Sequence, residues 1–335
     1  MTENLKLAPI FRDHMVIQHG VPVHIFGEGC GEITVSLGAN AKTVQADGKW
    51  LVTLEPMPAG GPHVLCVTGG DVTITVNDVM VGEVILCSGQ SNMQFHMWSE
   101  VTPESAYEDD DGLRIFVSGR MEQGEVILPQ DGWVCAAKDN IRNWSALAYL
   151  VGRDLRRKKG CPVGVIACSQ GASNIQTWID ERRYLGSALE LPIEKMHPDA
   201  RSPKYGVWNK PGLLYHYMLE PLLPYSVGNV LWYQGESNTS DAEAAIYVEL
   251  LRTMIENWRE GFENSALPFY VIQLADYKKI AAWYALQDAQ MRAQTEIPGV
   301  VTIPCADICE NNDIHPPTKW KLAERIVNVM KEKLL

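Results

Sequence analysis

The sequence predicts a three-layer α/β domain built on a parallel sheet and preceded by a small β module. Three observations predict it. Residues 1–80 show only period-two alternation between turn residues. From residue 81, short continuous apolar runs alternate with helix-period segments. Three of those runs end in similar polar turns rich in Gly, Ser, Gln and Asn. The first pattern fits short antiparallel strands, the second fits buried parallel strands and their covering helices, and the third fits a ligand site at one sheet edge.

In residues 1–80, Val72, Ile74 and Val76 alternate with polar neighbours, as do Ile33 and Val35, and Trp50, Val52 and Leu54. Turns such as Gly27-Glu28-Gly29, Asp47-Gly48 and Gly60-Gly61-Pro62 separate them, which suggests a sandwich-like or barrel-like module without helices. Residues 81–335 form the second unit. Its expected strands are Val84–Cys87, Leu113–Val117, Val163–Cys168, Asn229–Tyr233, Phe269–Leu274 and Val300–Ile303. The expected helices are about Ser145 to Lys159, stopped by Gly160; Ala242 to Arg259, stopped by Gly261; and a third after Pro317, with Trp320, Ala323, Ile326, Val327 and Met330 inward.

Composition removes several functions. A formal net charge of −12 leaves no general grip for nucleic acid. No apolar stretch reaches the ~20 residues of a membrane helix, and Met1–Lys6 has no signal-peptide pattern, so a cytoplasmic protein is expected. Eight cysteines, several in apolar runs, then read as reduced thiols. Cys305-x-x-x-Cys309 has no second pair at metal-site spacing, so neither a metal nor a cofactor is expected. Self-association stays open.

The chemistry centres on Ser91, in the turn Ser88-Gly89-Gln90-Ser91-Asn92 that follows the run Val84–Cys87. A serine hydroxyl needs a base to become a nucleophile, and an acid to orient that base. His315 and Asp313 supply both, and Pro316 and Pro317 stiffen the backbone beyond them. An oxyanion hole needs donors, for which the Ser91 and Gly171 N–H groups and a side-chain amide, Gln234 or less surely Asn238, are candidates. Asn92, Trp178 and Glu236 are the candidate substrate contacts, although Glu236 reads also as a buried carboxylate tying loops together. No glycine stands two residues after Ser91, which argues against an α/β-hydrolase elbow.

Four blocks carry a family resemblance: Val81–Met93, Pro162–Ile166 followed by Gly171, Trp232–Asn238, and Asp313–Pro317. With Met15–Val23 and Asp47–Trp50 in the β module, the chain resembles the sialate O-acetylesterase-like branch of the SGNH (GDSL-type) hydrolases. The resemblance implies a flavodoxin-like fold, a metal-free serine mechanism, and removal of O-acetyl groups from sialic acid or from acetylated xylan and oligosaccharides. It carries nucleophile, acid and base onto Ser91, Asp313 and His315, and the glycine donor onto Gly171. It departs in places: Gly171-Ala172-Ser173 stands for Gly-Gly-Thr, Gln176-Thr177-Trp178 for Glu-Ala-Trp, Tyr215-His216-Tyr217-Met218 for Tyr-Asn-Gly-Met, and Gln287 for an arginine. These departures read as drift in the substrate-facing surroundings. The expected protein is therefore a carbohydrate O-acetylesterase, with a non-catalytic sugar-binding protein or a sugar O-acetyltransferase as alternatives.

Overall fold

The computed structural model describes residues 5–122, 125–127, 132–277, 280 and 282–333. In the first region the strands are β1 (Lys6–Leu7), β2 (Val16–Gln18), β3 (Val23–Leu37), β4 (Asn40–Leu54), β5 (Gly60–Gly69) and β6 (Val72–Gly89). Those that follow are β7 (Asp110–Val117), β8 (Arg120–Glu122), β9 (Glu125–Ile127), β10 (Trp133–Ala136), β11 (Val163–Ser169), β12 (Asn229–Tyr233), β13 (Phe269–Ile272) and β14 (Val300–Ile303). The α-helices are α1 (Ser91–Gln94), α2 (Ala146–Lys159), α3 (Glu181–Tyr184), α4 (Asp241–Gly261), α5 (Trp283–Glu296) and α6 (Lys319–Lys333).

The N-terminal region is β structure, as its alternation predicts. β3 and β4 form a long antiparallel hairpin, β5 pairs with β3 and β6, and β2 lies parallel to β6. Residue 80, the expected end of the module, falls inside β6. The first half of that strand pairs with β5 and β2, and its last residues, from Glu83 on, pair with β11 and then β12. A change in sequence pattern here marks a change of neighbours along one strand, because Val81–Gly89 become buried at nearly every position.

The second sheet runs β10-β7-β11-β6-β12-β13-β14. All its neighbours are parallel except β10, which lies antiparallel to β7. Every residue of β12 and β13 is buried, so both sheet faces are covered. Helices pair α2 with α6 and α4 with α5 over the sheet. Local chemistry sets their ends. Ser145 caps α2 by accepting the Ala148 N–H, and Gly160 closes it in the left-handed conformation with four basic residues in the last turn. At α4, Ser240 Oγ accepts the Glu243 N–H, which caps one end group of the helix, and donates to Glu243 Oε2.

The expected strands and the helices α2 and α4 appear with shifts of a few residues. The α4 face through Tyr247, Leu250, Leu251, Met254, Ile255 and Trp258 is wholly buried. Trp258 meets Trp178 and Trp232 edge-on, with ring centroids 6.3 and 5.5 Å away, and its Nε1–H reaches Trp178 O at 2.9 Å. One helix face needs correction. In α6, Lys319 turns inward and Trp320 outward, with 40% of Trp320 exposed. The α5 helix, the edge strand β10 and the β8–β9 hairpin were not anticipated.

What positions the site is the register of three strand ends. Gly89 stands opposite Ser169 on one side and Tyr233 on the other, so the turns after β6, β11 and β12 emerge together. Gly89 has φ +136°, and a Cβ there would lie 2.1 Å from Tyr233 O. Only glycine lets the chain pass this close. Gly89→Ala should lower stability by at least about 3 kcal/mol, from backbone strain plus overpacking. A urea midpoint equal to wild type would contradict this account of the strand tip.

Candidate active site

Ser91 begins the short helix α1, immediately beyond that glycine. As first residue of a helix, its N–H has no partner within the helix. The chain from β14 to α6 brings His315 back across the sheet edge, and His315 Nε2 lies 2.8 Å from Ser91 Oγ. The two are 224 residues apart in sequence. Burial and the Lys319 ammonium hold the His315 pKa below the ordinary imidazole value, while Asp313 pulls it up. A neutral imidazole with a free Nε2 lone pair is the form able to take the serine proton.

Asp313 lies where the sequence suggests, but its carboxylate accepts the His315 main-chain N–H at 2.9 Å, not the ring Nδ1–H. A two-residue separation favours this tight side-chain-to-backbone turn. Asp313 acts on the ring here through charge alone.

The hole candidates divide. Gly171 is beside the nucleophile: a Cβ on it would sit 3.7 Å from Ser91 Cβ. Its N–H donates to Gln94 Oε1 at 2.8 Å. Gln94 was not singled out from sequence, although it lies three residues after Ser91 on the same helix face. The two third-block amides point away. Gln234 Nε2 donates to Gln90 Oε1, Ser173 O and Asn238 Oδ1 at 2.7–3.1 Å. Asn238 Nδ2 donates to Gln176 Oε1 and Glu243 Oε1. Both residues are fully buried. The expectation that one of them faces the oxyanion is corrected: three adjoining polar turns bury many donors and acceptors, and these satisfy one another first.

The expected substrate contacts are also interior. Trp178 is fully buried against Trp232, and its Nε1–H donates to Ser173 Oγ. Asn92 and Glu236 are 2% and 4% exposed and bond each other, Asn92 Nδ2 to Glu236 Oε1 at 2.5 Å. The same Nδ2 donates to Ile314 O at 2.8 Å, and Lys319 Nζ donates to Asn92 Oδ1 at 2.5 Å. Lys319 was not singled out from sequence either; its nearest signal is a lysine four residues after His315. Burial raises the Glu236 pKa to about 7, and among the described residues its Oε2 has no hydrogen-bond partner.

Two of the family departures lie inside as well, whereas His216 is half-buried and Tyr217 is exposed. Gln176 is buried and donates to Glu243 Oε1 at 3.1 Å, and Gln287 Nε2 donates to Leu274 O at 2.7 Å. His216 bridges Glu181 and Glu220. Ala172, next to Gly171, has φ +53°, a left-handed backbone.

Residues 81–332 match the family described as carbohydrate esterase, sialic acid-specific acetylesterase. The chain belongs to that family. Sialate O-acetylesterase of Homo sapiens is 26% identical over 368 residues, covering 96% of this chain and 69% of that protein. The Rattus norvegicus enzyme of the same name is 24% identical over 393 residues, covering 96% and 72%. A solved carbohydrate acetylesterase from Xanthomonas citri has a TM-score of 0.81 and 29% identity, and the match covers 98% of this chain and 74% of that one. This esterase therefore has the fold and the class of activity, carbohydrate O-deacetylation, that its blocks imply.

Two outcomes follow from these surroundings. Ala172→Gly should raise stability by about 1 kcal/mol, since glycine occupies a left-handed position without the Cβ cost; an unchanged melting temperature would oppose this. For Glu236, the folded pKa of about 7 exceeds the ordinary 4.5. The folded state therefore keeps a proton that the unfolded chain loses, and stability falls as pH rises through that window. Glu236→Gln lacks this term. Urea titrations at pH 5, 6 and 7 should show the variant gaining on wild type by about 1 kcal/mol per pH unit, and parallel curves would rule this out.

Proposed function

We propose that the protein releases acetate from O-acetylated sugars through an acetyl-enzyme on Ser91. The observation that carries this reading is the 2.8 Å contact between His315 Nε2 and Ser91 Oγ, beside the Gly171 N–H. His315 Nε2 takes the Ser91 proton as Oγ attacks the acetyl carbonyl carbon. The oxyanion accepts from the Ser91 N–H and from the Gly171 N–H, displacing Gln94 Oε1, which holds that donor at rest. The carbon–oxygen bond to the sugar then breaks, and His315 returns the proton to the sugar oxygen. Water, deprotonated by His315, attacks the acetyl-enzyme, acetate departs, and Ser91 Oγ recovers its proton. Asp313, near the ring, favours the imidazolium formed in each half.

O-acetylated sialic acid and acetylated xylo-oligosaccharides are the substrates to compare. Trp98, 60% exposed and with its ring 6.0 Å from that of His96, supplies an apolar face for a sugar ring a few residues beyond Ser91. The eight cysteines are free thiols, in keeping with a reducing compartment such as the cytoplasm. No described helix is long and apolar enough to cross a membrane. Neither a purely sugar-binding role nor acetyl transfer is favoured by the family.

Ser91→Ala and His315→Ala should each lower acetate release by at least about 10³-fold on the best member of a panel of acetylated sialic acid, xylo-oligosaccharides and nitrophenyl acetate. Turnover in Ser91→Ala near the wild-type rate would overturn the assignment. Because burial holds the His315 pKa down, kcat/KM should fall on the acid side only below the ordinary imidazole value of ~6.5. An acid limb above that value would contradict the reading of His315.

A further inference from the structure

Lys319 is fully buried at the first position of α6, four residues after His315. Two general effects oppose a lysine there. A cation at a helix N-terminus runs against the macrodipole, and a buried ammonium loses its hydration. Among the described residues no carboxylate lies within 4.0 Å of its Nζ to offset this. Burial draws its pKa down to about 8, against the pull of Cys309, Cys305, Glu236 and Glu310. Stability alone gives no reason for a lysine at this position.

Its contacts give one. Nζ donates to Asn92 Oδ1 at 2.5 Å and stands over the rings of Phe95 and Tyr233 at 5.0 and 5.2 Å. A lysine only donates, and a main-chain carbonyl only accepts. Lys319 on Oδ1 and Ile314 O on Nδ2 therefore fix which way the Asn92 amide faces. Asn92 follows the nucleophile in sequence, and Ile314 precedes the base. The amide is a direct brace between the two catalytic segments, with Glu236 Oε1 taking its other N–H. Glu100 Oε1 anchors the lysine's own backbone by accepting the Lys319 N–H at 3.0 Å.

We propose that Lys319 is a positioning residue for the Ser91–His315 pair, acting through Asn92 on the Ile314 carbonyl. This rests on the roles given above to Ser91 and His315. The lysine touches neither substrate nor the reacting atoms. The charged and titratable groups around it are Cys305, Cys309 and Glu310 on the loop after β14, Glu236 and Tyr233 at the end of β12, Glu100 after α1, and His315 with Asp313.

The test is Lys319→Met, which keeps the chain length and removes the donor and the charge, with Asn92→Ala and the double variant beside it. Active-site titration with a fluorophosphonate counts the competent enzyme, so the rates refer to folded molecules. Lys319→Met should lower kcat by about 30-fold with KM within about threefold, because small errors in placement cost large factors in rate. Its acid limb should move to higher pH, since removing a cation lets His315 hold its proton more tightly. Asn92→Ala should lower kcat similarly, and adding Lys319→Met to it should cost less than about threefold more, as expected of residues acting in series. If Lys319→Met fails to fold, Asn92→Ala alone still decides: a wild-type kcat in that variant overturns the proposal. So does a folded Lys319→Met with unchanged kcat and an unmoved acid limb, or full additivity in the double variant. Ser91→Ala runs in parallel. Its inactivity with a normal Lys319→Met sinks only this inference, whereas its activity sinks the mechanism on which the inference stands.

Discussion

The meeting of β6, β11 and β12 at Gly89 is the constraint from which the site follows. Parallel pairing aligns Gly89 with Ser169 and with Tyr233, and the Gln90 N–H reaches Tyr233 O at 3.0 Å. Three polar turns must therefore leave the sheet within a few ångströms of one another. Ligand sites in open parallel sheets form where neighbouring strand ends diverge. Here the turns first close on themselves. Gln90 Oε1 accepts from Gln234 Nε2 and from the Gly235 and Ser237 N–H groups, all at 3.1–3.3 Å. Ser91 is left on the outer side of a rigid polar floor.

That floor explains why so many amides serve so little direct chemistry. Buried donors and acceptors left unmatched are costly, so converging turns select residues that complete one another. Gln234, Asn238, Gln176 and Glu243 form one such set, with Glu243 Oε2 also accepting the His197 N–H at 2.6 Å. The set fixes the turns without placing full charges next to Ser91. A cation enters this floor underneath, where Lys319 and Glu236 share Asn92. Their pKa values are drawn toward each other, Lys319 down and Glu236 up, both by burial first. A site of this kind is held by amides and tuned by one buried cation.

Much of this architecture was legible in the sequence, because it rests on local patterns. Continuous apolar runs gave the parallel strands, and period-two alternation gave the β module. Ser91, His315 and Gly171 were legible through block order, and the structure places all three at one point. The boundary near residue 80 was less legible, since a strand can change neighbours without a linker. The direction of an amide was not legible at all. Gln234 and Asn238 have the right chemistry for an oxyanion hole, and only three-dimensional neighbours reveal that their protons are already committed. Lys319 and Trp320 stand side by side, and helical periodicity alone favoured the tryptophan as the inward residue. A buried lysine defies that pattern, and such a breach of a local rule tends to mark a functional place.

The same distinction bears on which sugar is used. Most residues of the first three blocks are interior, and the departures at Gln176 and Gln287 are interior too, each matched by a partner within the protein. They therefore bear on how the floor is held more than on what lies above it. Around Ser91 other side chains reach solvent. Trp98 is one, directly beyond α1. The β8–β9 hairpin is another element of this rim: Gln170, next to Gly171, holds the main chain of Met121 by bonds of 2.9 and 3.2 Å, which brings Arg120 with its half-exposed guanidinium toward the site. Arg120 also lies close enough to His96 to lower the pKa of that imidazole, after burial. Arg120 is itself paired with Glu122, so this rim carries both signs of charge beside an aromatic face.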